Sequence, residues 1–332
     1  MAEWLYEAGI GEVRAALVER GVILEALIEI EGGGPRAGAI VPARLAKVLV
    51  PGRRAIVRLE DGAEALLEPI PAGTSEGRDL LVEIVREAIG EPGRPKRAKA
   101  RPAAADAVAR PGLRLRDRLG RDVTTLDPHV PDRLEEAGWS ELLEEAAGGE
   151  IAFAGGGLRL SLTPAMTLFD VDGTLPVAEL AIAGAAAAAR AIRRMDIGGS
   201  IGIDLPTVES RAARQAAAAA FDAHLPQPFE RTAVNGFGFL QAVRRRTRPS
   251  LPELLRDDPA GTAARALLRR AERVRGAGTR TIHAAPAIVA AIERRSDWLE
   301  QLRRRTGSPL ALRADPALAI SAGHVQADHP LR

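Results

Sequence analysis

Residues 166–205, MTLFDVDGTLPVAELAIAGAAAAARAIRRMDIGGSIGIDL, decide the fold. The opening apolar run ends in Asp-Val-Asp-Gly-Thr and reads as a buried strand carrying two carboxylates two residues apart. VAELAIAGAAAAARAIRRM then reads as an alanine-rich helix of about five turns, with arginines at its C-terminal end, where the helix dipole favours them. DIGG reads as the stop, with glycine supplying the cap. SIGIDL is a second short, buried strand. Strand, helix and strand over this length predict a βαβ unit whose two strands lie parallel. Just upstream, GGGLRLSL (155–162) reads as a further strand leaving a glycine turn.

This reading places Asp170 at the close of the first parallel strand and Asp204 at the close of the second. Both ends then lie at one edge of the sheet, where ligands of open α/β sheets bind. Two carboxylates that approach each other repel unless a cation or a proton sits between them. Oxygen donors without His or Cys favour Mg²⁺, with Mn²⁺ as the alternative. Such an ion activates water and stabilises the transition state of phosphodiester hydrolysis. Asp172, one alternation further on, would orient Asp170 or a water. The simpler alternative is that each aspartate only caps a strand-to-helix turn.

Outward from this block, residues 22–85 carry the short apolar runs VILEALIEI, AGAIVPARLAKVLV, AIVRL, EALLEPI and DLLVEIV, separated by turn-forming clusters. Four or five such strands suit a small barrel of the oligonucleotide-binding kind. Barrels of that kind usually hold RNA by aromatic stacking. This stretch has no Phe, Tyr or Trp, so any RNA there is held by charge. Residues 94–121 carry ten Lys or Arg against Asp106 and Asp117, and read as a linker or exposed basic loop. Residues 124–150 carry eight acids against Arg133, and VPDRLEEAGWSELLEEAA within them reads as one amphipathic helix starting near Pro131. Arginine clusters recur at 244–248 and 303–305. Segregated basic surface of this kind suits an anionic polymer, although a solvated charged face accounts for each run equally well.

The 332 residues allow two or three domains, and a composition 46% apolar but only 3% aromatic requires cores of Ala, Leu, Val and Ile. Absence of cysteine excludes disulfides and thiolate metal sites. The first residues do not read as a secretory signal, and no apolar run approaches the roughly 20 residues of a membrane span. These features lead to an expectation of a cytoplasmic protein with no membrane partner. The five histidines form no metal-binding spacing.

FDVDGTL resembles the first motif of the haloacid-dehalogenase phosphatases, which would make Asp170 a nucleophile. That family also needs a downstream basic residue on the phosphoryl group and a later acidic pair at a strand end. No Lys follows Lys99, and the later pair Asp257 and Asp258 runs into Pro259. A second resemblance covers most of the chain in order. Residues 161–208, with Asp170, the turn MDIGG and the strand SIGID, look like the catalytic core of the ribonuclease E/G family of endoribonucleases. NGFGFLQ followed by RRRTRPSL is similar to the family's segment after the core. LLRRAERVR before TIHAAPAIVAAI resembles its small C-terminal domain, and the β-rich N-terminal segment falls where the family keeps an S1 RNA-binding barrel.

That resemblance implies a Mg²⁺-dependent endonuclease for single-stranded RNA, leaving a 5′-phosphate and a 3′-hydroxyl. Asp170 and Asp204 would be the metal ligands, and Asp172 would stand where the family usually has Asn. Arg231, Arg244, Arg245, Arg246, Arg97 and Lys99 are candidate RNA contacts. The family's cysteine zinc clamp is missing, so no zinc and no zinc-linked tetramer is expected, and a homodimer is left open. The segment between barrel and core is too short for the family's domain that senses a 5′-monophosphate. The expected fold class is mixed α/β. Its parts are an N-terminal segment packing on the core (1–21), an S1-like barrel of the OB kind (22–101), a linker and helix (102–150), an RNase H-like/DNase I-like catalytic core (151–248) and a small C-terminal α/β domain (249–332). An RNA-binding protein with a degenerate nuclease core is the first alternative and the phosphatase the second.

Overall fold

A computed structural model describes residues 1–91 and 95–330. Arg94, the first residue of the basic run, lies outside the described residues. In chain order the elements begin with β1 (Glu3–Ala8), β2 (Glu12–Glu19) and β3 (Val22–Ile30), then β4 (Ile40–Val50), β5 (Arg54–Leu59), β6 (Glu64–Leu67), β7 (Asp79–Arg86) and β8 (Ala98–Pro102). There follow α1 (Leu115–Arg118), β9 (Val123–Thr125), α2 (Arg133–Glu136), α3 (Trp139–Gly148), β10 (Glu150–Phe153), β11 (Gly156–Leu162) and β12 (Thr167–Gly173). Next come α4 (Val177–Arg194), β13 (Gly199–Asp204), α5 (Arg211–His224), β14 (Phe229–Arg231) and β15 (Phe239–Arg244). The chain closes with α6 (Leu251–Asp257), α7 (Pro259–Arg273), β16 (Gly276–Ala284), α8 (Pro286–Glu293), α9 (Ser296–Thr306), β17 (Leu310–Ala314) and β18 (His324–Pro330). These elements form two compact units, one of Gly33–Arg118 with Ser140–Leu254, the other of Met1–Gly32, Leu119–Trp139 and Leu255–Arg332.

In the first unit, β4 to β8 close into a barrel of order β4-β5-β6-β8-β7. Every neighbouring pair is antiparallel except β6 with β8, which is the connectivity of an OB-like barrel. Its interior is built from small and branched residues, among them Ala43, Val57, Leu67, Val82, Ile84 and Ala100. The barrel begins at Ile40 and not at Val22. The run VILEALIEI is β3, and it pairs with β2. The reason is local: Arg20 and Gly21 between β2 and β3 both have positive φ, 51° and 76°, the signature of a two-residue hairpin turn that matches strand twist.

The same unit holds a six-stranded sheet of order β10-β11-β12-β13-β15-β14. β12 and β13 are its parallel pair, joined through α4, so the βαβ unit forms as the sequence pattern requires. Leu180, Ala181, Ala185 and Ala188 of α4 are buried, and Gly184 lets the helix approach β12, because a Cβ there would lie 2.4 Å from Val171 Cγ1. The helix end differs from the expectation. The left-handed residue is Asp196 (φ 51°), not a glycine. The Asp196 N–H donates to Arg193 O at 3.3 Å and the Ile197 N–H to Ile192 O at 2.9 Å, a Schellman closure with the buried Ile192 and Ile197 as its apolar pair. Asp196 tolerates the conformation, and its carboxylate accepts from Arg244 at 3.1 Å and Arg248 at 2.6 Å.

In the second unit, β1, β2, β3 and β9 form one sheet, and β16 lies between β17 and β18 in another. Residues 1–21, read as a segment packing on the catalytic core, supply β1 and β2 here. Leu268, Ile282, Ile288, Ile292, Trp298 and Leu302 form the apolar core around α7, α8 and α9. Beside it, Glu12 on β2 accepts from Arg265 and Arg269 of α7, and Glu7 on β1 accepts from Arg14 at 2.6 Å and Arg273 at 2.9 Å. The single amphipathic helix expected from Pro131 onward is two, α2 and α3, because Gly138 takes φ 92° and breaks the run. Among the described residues no helix is long and apolar enough to cross a membrane.

Candidate functional site

Alternation along β12 sorts its side chains. Thr167, Phe169 and Val171 are buried, and Asp170 and Asp172 are exposed, as a strand with one covered face requires. Phe169 is in register with Ile203, and Asp170 with Asp204. Residues in register share a face, so the two carboxylates stand side by side on the open face, on strands about 4.8 Å apart. Asp204 ends β13, as read from the sequence. Asp170 does not end β12, which continues to Gly173 because β11 still pairs with it. What ends at Asp170 and Asp204 is the parallel ladder.

The register extends this pair into a row across five strands. Glu150 of β10 opposes Arg159 of β11, which opposes Asp170, then Asp204, then Phe239 of β15. Arg159 pairs with Glu150 at 3.1 Å and is exposed. Its backbone thus stands on the flank of Asp170 away from Asp204, with its guanidinium held by Glu150. Asp172 lies further along β12, opposite Gly157. Gly202 of β13 is needed beneath Phe239, since a Cβ there would come within 2.6 Å of the ring. Among the described residues, no three His, Cys, Asp or Glu side chains converge as a metal-binding group.

The candidate RNA contacts fall in several places. Arg231 is in register with the buried Ala242 of β15 and so points to the helix-covered face, away from Asp170 and Asp204. There its guanidinium donates twice to Asp222 of α5, at 2.7 and 2.5 Å, and these bonds raise its pKa above the ordinary value despite partial burial. Arg244 is tied to Asp196, and Arg246 to Glu253. Arg245, between them, is exposed. On β8 of the barrel, Arg97 precedes the strand and pairs with Glu64 at 2.8 Å, whereas Lys99 is exposed and has no ion pair among the described residues.

Two residues near the acid pair escaped the sequence reading. Arg159 was signalled by the alternation GLRLSL once β11 is folded back on β12. Phe237 was signalled by nothing local. It stands 82% exposed in the turn before β15, and its setting emerges only from the contacts of that turn. No family model matches the chain, and no curated protein matches it.

Proposed function

We propose that the chain is a Mg²⁺-dependent endoribonuclease of the ribonuclease E/G type, acting on single-stranded RNA in cytoplasmic RNA processing or decay. The observation that carries this reading is the register of Asp170 with Asp204 at the end of a parallel ladder. An OB-like barrel in the same compact unit supports it, and on this reading the barrel is the S1-like module and the six-stranded sheet the RNase H-like/DNase I-like core.

Two exposed, adjacent carboxylates with no softer donor beside them suit a hard divalent cation that fills its remaining positions with water and substrate phosphate. Such an ion, when bound, supplies Lewis acidity and lowers the pKa of water. Asp170 and Asp204 hold their oxygens side by side toward solvent, where an extended strand of RNA has access. Asp172 is placed to accept a proton or orient a water on the flank of Asp170. Arg159, in register with Asp170 but held by Glu150 at 3.1 Å, would have to leave that carboxylate to meet a phosphate lying across the row. Hydrolysis adds water at phosphorus and releases the 3′-oxygen, which takes the remaining proton to become the 3′-hydroxyl.

The test uses a 5′-labelled, AU-rich single-stranded RNA with and without Mg²⁺. Internal cleavage is expected only with the ion, and Asp170→Asn and Asp204→Asn are each expected to lower it about a hundredfold or more. Binding without cleavage at any Mg²⁺ or Mn²⁺ concentration would identify an RNA-binding protein with a degenerate core. Turnover of small phosphomonoesters through a phosphorylated Asp170 would identify the phosphatase.

A further inference from the structure

Phe237 is the exposed aromatic side chain of a protein that otherwise keeps its aromatic rings wholly or partly covered among the described residues. Its turn is fixed from inside and outside. Asn235 Oδ1 accepts from the N–H groups of Phe237 and Phe239 at 2.9 and 3.0 Å, and the Gly238 N–H donates to Asn235 O at 3.2 Å. On the outer side, Thr207 Oγ1 donates to Phe237 O at 3.1 Å, and the Leu205 N–H to Gly238 O at 3.2 Å. Gly238 has φ 91°, and a Cβ there would lie 2.1 Å from Leu205 O, so only glycine closes this turn against the strand that ends in Asp204.

Phe239, two residues on, is in register with Asp204. Chain geometry therefore keeps the Phe237 backbone within about 12 Å of the Asp204 backbone. A large apolar ring is thus held out in water, on a turn fixed by these hydrogen bonds, with its backbone within that distance of Asp204. A flat hydrophobic face of this kind suits a nucleobase, whose stacking on an aromatic ring is strong and tolerant of sequence. A preordered turn lowers the entropic cost of seating it.

We propose that Phe237 is a nucleobase-stacking site that seats a base flanking the phosphodiester held at Asp170 and Asp204. The proposal rests on the RNA reading above and supplies what the barrel interior and its strands lack, an aromatic platform. Orientation then comes from one stacked base, and the cleaved bond is set by its distance along the strand from that base.

Binding is measured with single-stranded RNA in EDTA, and cleavage in Mg²⁺, for the wild type, Phe237→Ala and Phe237→Trp. Phe237→Ala is expected to weaken binding about 5- to 150-fold with an unchanged melting temperature, and Phe237→Trp to retain binding. A substrate with one abasic nucleotide beside the cleaved bond is expected to bind the wild type more weakly by a similar factor, and to bind Phe237→Ala no more weakly than the intact RNA does. Cleavage and binding unaltered in Phe237→Ala would overturn the stacking site alone. Failure of the wild type to bind or cleave RNA would overturn the function reading, and the stacking site with it.

Discussion

Asp132 illustrates how a single carboxylate is kept charged in this protein. Its Oδ1 accepts from the Glu135 N–H at 3.1 Å, capping α2, and its Oδ2 accepts from Arg14 Nη2 at 2.5 Å. Burial alone would raise its pKa, but the charge and hydrogen bond of Arg14, the Glu135 N–H and the nearby Arg273 together bring it below the ordinary carboxylate value. A depressed folded pKa means that the unfolded chain binds the proton more readily. The stabilisation is therefore complete above the unfolded pKa of about 4 and is lost as pH falls through the lower folded value. Asp132→Asn keeps the cap but removes the charge, and is expected to cost about 1.5–3 kcal/mol near neutrality. Urea unfolding of both proteins from pH 7 to pH 2 checks this. The gap should narrow below about pH 4, and a gap constant over the whole range would rule out the charge as its source.

At the scale of the element, α4 on β12 decides where Asp170 stands. Helix propensity favours alanine over glycine by about 1 kcal/mol in a helix interior, so Gly184→Ala would stabilise an isolated α4. In the folded protein the new methyl would lie 2.4 Å from Val171 Cγ1, and overpacking of that kind costs about 1–3 kcal/mol. The contact is expected to win. Gly184→Ala should lower the melting temperature and, by displacing β12 against β13, the proposed ribonuclease activity; a higher melting temperature would show that the strand yields freely. The βαβ unit was legible because α4 and its flanking strands carry clean helical and strand periods, and the parallel pairing then sets Asp170 beside Asp204 where the ladder ends. Other features were not legible. Asp196 performs the stop assigned to glycine because its carboxylate finds Arg244 and Arg248, partners about fifty residues away. β3 reads as a barrel strand in isolation, and only the Arg20–Gly21 hairpin assigns it to β2. Gly138 sits in a good amphipathic pattern that a positive φ interrupts.

Over the whole molecule, charge that looks free in the sequence is largely committed in the structure. The formal net charge is +2, and many arginines in basic runs are held by acids far along the chain. Arg265 and Arg269 meet Glu12, itself only 3% exposed, a tie between β2 and α7 that no local pattern reveals. Arg244 is likewise held by Asp196, whereas Arg246 is held by Glu253, only seven residues on. Local charge density in the sequence therefore overstates the free positive surface, and the proposed RNA contacts divide by whether a carboxylate already holds them. Lys99, exposed on the barrel strand β8, is open to a phosphate. If it meets one, Lys99→Glu should weaken RNA binding at low salt and reduce the slope of log K against log salt by about 0.7, the value for one phosphate on a single strand. Arg244→Gln should act differently. Its guanidinium bonds to Asp196 and to Ile197 O, so its loss leaves the half-buried Asp196 with Arg248 alone and should lower the melting temperature while leaving the salt slope unchanged. Binding isotherms at three or more salt concentrations, with melting curves for both variants, separate the two effects. A salt slope lowered by Arg244→Gln and untouched by Lys99→Glu would reverse the division and place the RNA path along the end of β15 rather than across the barrel.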